Sequence, residues 1–287
     1  MLCANPTHSA CLWGKCKKEL HTALLQSLHT PQTAEARGAG GPGAAGFLQY
    51  PSDANCSMEN VFWSAALRQR LALERAELSH AELANASSTC QCRNAQGRTC
   101  GAQLDKTGFH ALTDQNGGGV LARHDRLGKA VGGLLTRWRR CTPLFEQRVP
   151  TWDRPRRRLA PGQDPVERAI LDIEYSADGG RHWLDVTVRH PAAGDAAAVQ
   201  ACARRDGEAS RRAERAKHER YPGVQLTAFA VETPGRVGAE ARLWLLSEVR
   251  QLPQDTQAAE LSRAYRVISC ALQTEVVRQL RRAAGVK

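Results

Sequence analysis

The segment ILDIEYSADGGRHWLDVTV, residues 170–188, constrains the fold most strongly because it reads as two β-strands joined by a tight turn. Asp178 and Gly179 form the Asp-Gly pair that two-residue hairpins favour, since both central residues of that turn need a positive φ. A turn centred on this pair predicts two apolar cross-strand pairs, Leu171 with Val186 and Ile173 with Leu184. The hairpin is therefore expected to bury one face of a sheet.

The same register places Asp172 directly opposite Asp185 on the other face. Opposed side chains have Cβ atoms about 5 Å apart, where like charges are destabilising. One explanation is a solvated sheet face on which water screens the repulsion, and the other is a cation held between the two carboxylates. A turn shifted to Gly179-Gly180 still leaves these carboxylates as diagonal neighbours on one face.

The elements around the hairpin predict an α/β (α+β mixed) chain with a small mixed sheet, a central hairpin and flanking helices. A short strand or helix end is expected over 144–152, a long helix over 192–221 with a possible break at Gly207, a strand over 224–232, and helices over 236–251 and 255–284. Upstream, apolar spacing predicts a helix or helix pair over 58–84 and a helix over 117–140 whose inward residues are Val120, Leu121, Leu127, Val131, Leu134 and Leu135. The expected organisation is a disordered linker at 1–55, a helical segment with a Cys/His region (90–114) at 56–140, and an α/β domain at 141–287.

Charge favours a polyanionic partner, because the formal net charge is +11 and the pI is about 9.5. Arginine dominates the basic residues, notably in RWRRC (137–141) and RPRRR (154–158), and its guanidinium suits phosphate contact. An Arg-rich composition can also reflect a GC-rich genome, and an anionic membrane surface is a competing partner, although no long basic amphipathic helix is evident. The residues expected to contact nucleic acid are Arg137, Arg139, Arg140, Arg156, Arg157 and Arg158.

The ten cysteines favour a metal site over a disulfide scaffold. The N-terminus lacks the apolar region of a signal peptide, and no apolar stretch reaches the ~18 residues of a membrane span, so an intracellular, reduced protein without disulfide partners is expected. Thiol and imidazole groups at close spacing are what a structural zinc site requires. The candidate ligands are Cys90, Cys92, Cys100 and His110, with Asp114 or His124 as substitutes for one of the cysteines; unliganded loop cysteines are the alternative.

The segment AERAKHERYPG places Glu214, Lys217 and Tyr221 on one face of the helix that follows the hairpin. Such a helix is able to lie against the polar face of the sheet and bring a lysine to the carboxylate pair. Metal-dependent nucleases use carboxylates to hold a cation and a nearby positive group to stabilise developing charge. A solvated charged helix has the same composition, so this helix alone does not decide the question.

Taken together, these segments resemble the restriction-endonuclease-like domain at the C-terminus of site-specific non-LTR retrotransposon proteins. The matching order is FWSAALRQRLAL, the Cys/His region, HALTDQNGGGVLARHD, ILD, WLDVTV, AERAKHERY and FAVETPG, within about residues 58–250. The resemblance implies PD-(D/E)xK chemistry, that is, Mg²⁺-dependent hydrolysis of DNA phosphodiesters, together with a structural Zn²⁺ and a nuclear location.

Residue by residue, the resemblance implies that Asp172 is the aspartate of the PD element, with Leu171 in place of proline, and that Asp185 is the acidic residue of (D/E)xK. Lys217 matches a lysine displaced onto a later helix, with Tyr221 as its companion. Further positions that the resemblance points to are Glu146, a weak match to a carboxylate that precedes the core, and the RH pair Arg123 and His124, which is expected to contact nucleic acid.

Three departures from the family pattern leave an alternative open. Thr187 stands where the strand lysine is expected, Asp114 stands where the zinc knuckle usually ends in cysteine, and the chain has no Tyr-x-Asp-Asp stretch of a reverse transcriptase. The sequence therefore predicts a retroelement-derived DNA endonuclease, with a non-catalytic nucleic-acid-binding remnant as the alternative.

Overall fold

The computed structural model describes residues 23, 25–49, 54–70, 78, 82, 86–156, 163–222 and 225–286, and the structural statements below concern these residues. They form a mixed α/β structure in which a small mixed sheet is flanked by helices, so the predicted fold class is confirmed at this level. The strands are β1 (Leu144–Arg148), β2 (Arg154–Pro155), β3 (Val166–Glu167), β4 (Ile170–Ala177), β5 (Gly180–Arg189) and β6 (Thr227–Glu232). The helices are α1 (Thr30–Ala39), α2 (Asn60–Arg70), α3 (Phe109–Thr113), α4 (Gly119–Arg139), α5 (Ala196–Arg204), α6 (Glu208–Arg220), α7 (Ala239–Val249) and α8 (Gln254–Ala283).

The main sheet has the strand order β1-β4-β5-β6, and β2 and β3 form a separate two-stranded ribbon. Only the β5–β6 pairing in the main sheet is parallel, and the crossover between these strands runs through α5 and α6. The predicted hairpin is confirmed, with Asp178 at φ 52° and Gly179 at φ 77° in the turn and Ile173 paired with Leu184.

The hairpin departs from its predicted register beyond the Ile173–Leu184 pair, which is the last one in the β4–β5 ladder. Val186 packs in the main core, whereas Leu171 packs in a separate cluster with Tyr221 and Ala228, so the expected Leu171–Val186 pair is wrong. The cause is local, because the Asp172 carboxylate accepts the Val186 N–H at 2.5 Å. A side chain thus takes the place of a ladder hydrogen bond.

The core lies between α4, α8 and the face of the sheet that carries Ile173 and Leu184. Four of the inward residues predicted for α4 are buried: Leu127, Val131, Leu134 and Leu135. Leu121 is 62% exposed, contrary to the prediction, because its position falls outside the stripe that faces the sheet and α8. Apolar periodicity located this helix correctly, but it assigned Leu121 to the buried face although Leu121 is exposed.

The chain at 30–46 differs from the expected linker, since it forms α1 and a 3-10 helix, Gly46–Leu48, that pack on the body of the protein. Ala34 is buried in a cluster with Cys202 and Ala209, and Phe47 is buried in a second cluster that contains Cys270 and Val277. Small residues give little periodic signal in the sequence, although they allow this close backbone packing. Residues 1–22, 24 and 50–53 of the predicted linker lie outside the described residues.

Gly207 divides the predicted long helix into α5 and α6, as the sequence suggested, and its φ is 69°. This left-handed conformation carries little penalty for glycine. After the break α6 packs against β5 and β6, on the opposite side of β5 from Leu184. The break therefore directs the second half of the predicted helix, which carries Lys217, across the polar face of the hairpin.

The described part of the chain contains no helix that is both long enough and apolar enough to span a membrane. The described residues contain no disulfide bond.

Candidate active site and metal centre

The two hairpin aspartates lie next to each other and are largely shielded from water. Asp185 is only 2% exposed, and the Asp172 side chain is 16% exposed. These fractions exclude a solvated sheet face as the explanation for the pair, because screening by bulk water requires exposed charges.

Lys217 reaches the carboxylate pair from α6, as predicted, and its Nζ lies 2.6 Å from Asp185 Oδ1. The other oxygen, Asp185 Oδ2, is buried and has no hydrogen-bond donor among the described residues. A buried acceptor without a partner carries a desolvation cost of about 1–3 kcal/mol. The site therefore has unused capacity to bind a positive group.

His124 approaches the pair from the other side of the sheet, because α4 packs on the face opposite to α6. Its Nε2 lies 3.1 Å from Asp172 Oδ2, and its Nδ1 lies 3.1 Å from Asp125 Oδ1. The hydrogen bond to Asp172 is the largest of the effects that raise the pKa of His124 to about 9, against the opposing effect of burial. The imidazole is therefore cationic at neutral pH.

The two aspartates differ in acidity although they are neighbours. Burial raises the pKa of Asp185 to about 6; the charge of Lys217 acts in the opposite direction and the nearby Asp172 adds to the rise. Burial also opposes ionisation of Asp172, but the hydrogen bond and charge of His124 outweigh it and hold the pKa of Asp172 below its ordinary value. Asp172 is thus the permanent anion of the pair, and Asp185 is the one whose charge the environment disfavours.

Tyr221 lies close to this site but in an apolar environment, since it is 3% exposed and clusters with Leu171 and Ala228. Its ring centroid is 6.1 Å from that of Trp152. The hydroxyl has no hydrogen-bond partner among the described residues, and burial raises its pKa. The side chain forms part of the apolar wall beside Asp185.

Glu146 is exposed, and the β1–β4 register places it opposite Asp172, between the pairs Phe145–Ile173 and Gln147–Leu171. Its φ is 52°, a left-handed value that is uncommon for residues other than glycine. Such conformations occur often at functional sites. The weak sequence match at Glu146 thus coincides with a distortion of the edge strand beside Asp172.

The basic residues predicted to contact nucleic acid separate into structural and exposed groups. Arg123 is 2% exposed and donates to Gln279, so its assignment to a nucleic-acid surface is wrong. Arg139 forms an ion pair with the buried Glu248, with 2.7 Å between the charged groups, and therefore acts mainly in packing. Of the remaining predicted contacts, Arg137 pairs with Glu260, Arg140 is exposed at the end of α4, Arg156 is half-buried in the β2–β3 ribbon, and Arg157 and Arg158 lie outside the described residues.

A second cluster joins four of the predicted zinc ligands, Cys90, Cys100, His110 and Asp114, whose ligand atoms all lie within 4.8 Å of one another. The Cys90 Sγ–Asp114 Oδ2 distance is 3.3 Å, Cys100 Sγ–His110 Nε2 is 3.4 Å, and His110 Nε2–Asp114 Oδ2 is 3.8 Å. Tetrahedral Zn–S and Zn–N bonds of about 2.3 and 2.0 Å separate neighbouring ligand atoms by roughly 3.3–3.8 Å. These four residues could hold a metal ion.

Of the residues considered for completing the ligand set, the structure brings Asp114 into the four-residue group. Cys92 is buried beside Cys90 but does not belong to the four-residue group, and His124 points to Asp172 instead. Asp114 completes the group, and it is 8% exposed. Its other carboxylate oxygen accepts hydrogen bonds from the backbone and side chain of Asn116, which fix its orientation.

Sequence reasoning missed the contact of His124 with Asp172, because it assigned His124 to nucleic-acid contact or to the zinc ligands. The only signal was its position five residues after a run of glycines that starts a helix, and this does not reveal a partner 48 residues away. Glu214 likewise shares a face with Lys217, yet it accepts the backbone N–H of Glu240 at 3.1 Å and holds α6 against α7.

No family model, curated protein or solved structure matches this chain. The geometry of the two side-chain clusters is therefore the basis for any functional assignment.

Proposed function

We propose that this chain is a divalent-cation-dependent DNA endonuclease with a restriction-endonuclease-like domain of the kind found in non-LTR retrotransposon proteins. The observation that carries the proposal is the meeting of Asp172, Asp185 and Lys217, which come from two strands and a later helix. Asp172 and Asp185 are the carboxylates that the resemblance assigns to the metal, and Lys217 is the lysine that it assigns to a displaced position.

The residues fit a hard divalent cation such as Mg²⁺, because the ligands available are carboxylate oxygens and Asp185 Oδ2 is buried without a donor. When bound, the cation would supply Lewis-acid activation of the scissile phosphodiester. Asp172 and Asp185 would hold it, and Lys217 would place a positive charge beside the reacting phosphate. His124 fixes the Asp172 carboxylate by its 3.1 Å contact.

The donor set of the Cys90, Cys100, His110 and Asp114 cluster fits zinc, since two sulfurs, a nitrogen and an oxygen suit this ion better than magnesium. We assign a structural role to this zinc site, because the ligands come from one short segment and all four positions are protein atoms. The expected zinc content is one equivalent per chain by elemental analysis. Cys100→Ser should lose the zinc, whereas Cys92→Ser, outside the four-residue group, should retain it.

The second candidate is a nucleic-acid-binding protein without turnover. The observation in its favour is that each aspartate already carries a cationic partner, His124 on Asp172 and Lys217 on Asp185. Thr187, at the position of the usual strand lysine, is buried and paired with Ala230 on β6, so it adds no positive charge. Side-chain cations would then replace the metal.

Incubation of the protein with supercoiled plasmid DNA and Mg²⁺ separates the two candidates. The nuclease proposal expects nicked or linear product for the wild type and a loss of at least about 100-fold for Asp185→Asn and Lys217→Met, in line with the loss of one preorganised charged group. Glu174→Gln is the matched control, because it removes a carboxylate on β4 two residues from Asp172. Equal activity of the wild type and Asp185→Asn would exclude the proposed site, and retained DNA binding without cleavage would favour the second candidate.

A further inference from the structure

A cleft of about 740 Å³ lies between α4, α8 and the short segment 54–57, away from both clusters described above. Its size falls within the range of about 300–1,000 Å³ that is typical of ligand pockets. The floor includes Leu134, Val267 and Cys270. The basic side chains that line it are Arg126, Lys129, Arg137 and Arg263, and no acidic side chain lines it.

The basic side chains remain accessible although some have acidic partners outside the cleft. The Arg126 side chain is 47% exposed and lies 3.7 Å from Glu275, and that of Arg137 is 51% exposed and bound to Glu260. Lys129 is exposed and has no acidic partner among the described residues. The cleft therefore complements an anionic ligand.

Gly133 lines the cleft and leaves this part of its wall on α4 without a side chain. It lies in the interior of α4, where glycine costs about 0.5–1 kcal/mol relative to alanine. A Cβ at Gly132 would collide with the ring of Phe145, so close packing explains that glycine. A Cβ at Gly133 would meet nothing within 4 Å, and Gly133 lines the cleft. A side chain at position 133 would therefore extend into the open cleft without a clash against the fold.

We infer that this cleft binds a short single-stranded segment of nucleic acid through its phosphodiester groups. The inference rests on the proposed function for the class of partner and adds a second binding site. A specific duplex interface buries about 1,000–2,500 Å² of protein surface. A cleft with room for only one or two nucleotides does not offer an area of that size. No aromatic side chain lines it, so the strand is held by its phosphates rather than by base stacking.

The cleft is separate from the carboxylate pair, although both use α4. At 100° per residue, Gly133 lies about 180° around the helix from His124. Lys129 and Arg137, at helical spacing on either side of Gly133, share its face. A strand held here cannot contact Asp172 at the same nucleotide, so the cleft anchors nucleic acid at a distance from the position where cleavage is proposed.

Fluorescence anisotropy with a labelled, mixed-sequence single-stranded oligonucleotide tests the inference, with the full chain in Mg²⁺-free buffer so that binding is measured without cleavage. Gly133→Leu should fill the cleft and weaken binding about 10-fold, the effect of one or two lost phosphate contacts, whereas Gly133→Ala leaves most of the cleft open and should change it less than about 2-fold. Both substitutions improve helix propensity, so both variants should unfold at or above the wild-type temperature.

Reversal of a single charge in the cleft tests whether its basic side chains contribute to binding. Lys129→Glu should weaken binding and reduce the slope of log K against log salt by about 0.7, the value for one single-strand phosphate contact. Arg212→Glu is the control, because it makes the same change in net charge at an exposed position on α6. A duplex of the same sequence should bind Gly133→Leu and wild type alike.

The inference is overturned if the wild type does not bind the oligonucleotide, if Gly133→Leu binds as tightly as Gly133→Ala, or if Lys129→Glu behaves as Arg212→Glu does. These outcomes differ from failure of the proposed function. Cleft-dependent binding without plasmid cleavage would uphold the cleft and reject the nuclease, and cleavage with cleft-independent binding would do the reverse.

Discussion

The unequal acidity of the paired aspartates predicts that replacing Asp185 with asparagine stabilises the metal-free protein. The pKa of Asp185 rises from its ordinary value of 3.8 to about 6 in the folded state. At about 1.4 kcal/mol per pKa unit, the folded state disfavours the Asp185 carboxylate by about 3 kcal/mol. Asparagine is neutral and nearly the same size, so Asp185→Asn should remove this penalty.

The pH dependence of this effect has a defined sign. For a carboxyl group whose folded pKa is raised, the penalty is absent below the unfolded pKa near 3.8 and complete above the folded pKa near 6. The difference in unfolding free energy between Asp185→Asn and the wild type should therefore grow from about zero at pH 4 to about 3 kcal/mol at pH 7.5. For a chain of this length that corresponds to a rise in Tm of about 5 °C.

Differential scanning calorimetry between pH 4 and pH 7.5 measures this difference, in metal-depleted buffer without chelator so that a zinc site stays loaded. Asp172→Asn is the contrasting variant: the pKa of Asp172 is lowered, so this substitution should destabilise the protein above pH 4. Added Mg²⁺ should stabilise the wild type and not Asp185→Asn. A Tm for Asp185→Asn below that of the wild type at pH 7.5, or a difference that is the same at both pH values, would refute the reasoning.

Three further outcomes are expected. His124→Gln should lower the unfolding free energy by about 3 kcal/mol below pH 6.5, because the contact with Asp172 raises the pKa of His124 to about 9. The unfolding free energies of the wild type and His124→Gln, measured as a function of pH, should converge above pH 9. Asp114→Cys should increase zinc affinity at least about 10-fold in a competition assay with a chromogenic chelator, whereas an unchanged affinity would place Asp114 outside the zinc site. Tyr175→Phe should cost about 1–3 kcal/mol by urea denaturation, because it removes the hydroxyl that accepts from Trp244 and donates to Glu248; a neutral result would show that water replaces it.

The sequence by itself determined the local structure of this protein wherever a strong short-range signal existed. The Asp178-Gly179 pair fixed the turn because only a few residue types accept positive φ at both positions. Gly207 marked the break that separates α5 from α6 for the same reason. The order of elements followed from apolar periodicity, which depends on residues that are neighbours in sequence.

Only the tertiary structure decided which distant polar groups meet. The same helical spacing placed Glu214 and Lys217 on one face, yet Glu214 caps α7 and Lys217 pairs with Asp185. Arg123 and His124 are adjacent in sequence, but the turn of α4 buries the first and directs the second to Asp172. Contacts between elements depend on how helices pack on the sheet, and the sequence pattern of a single helix specifies which residues share a face but not what that face will touch.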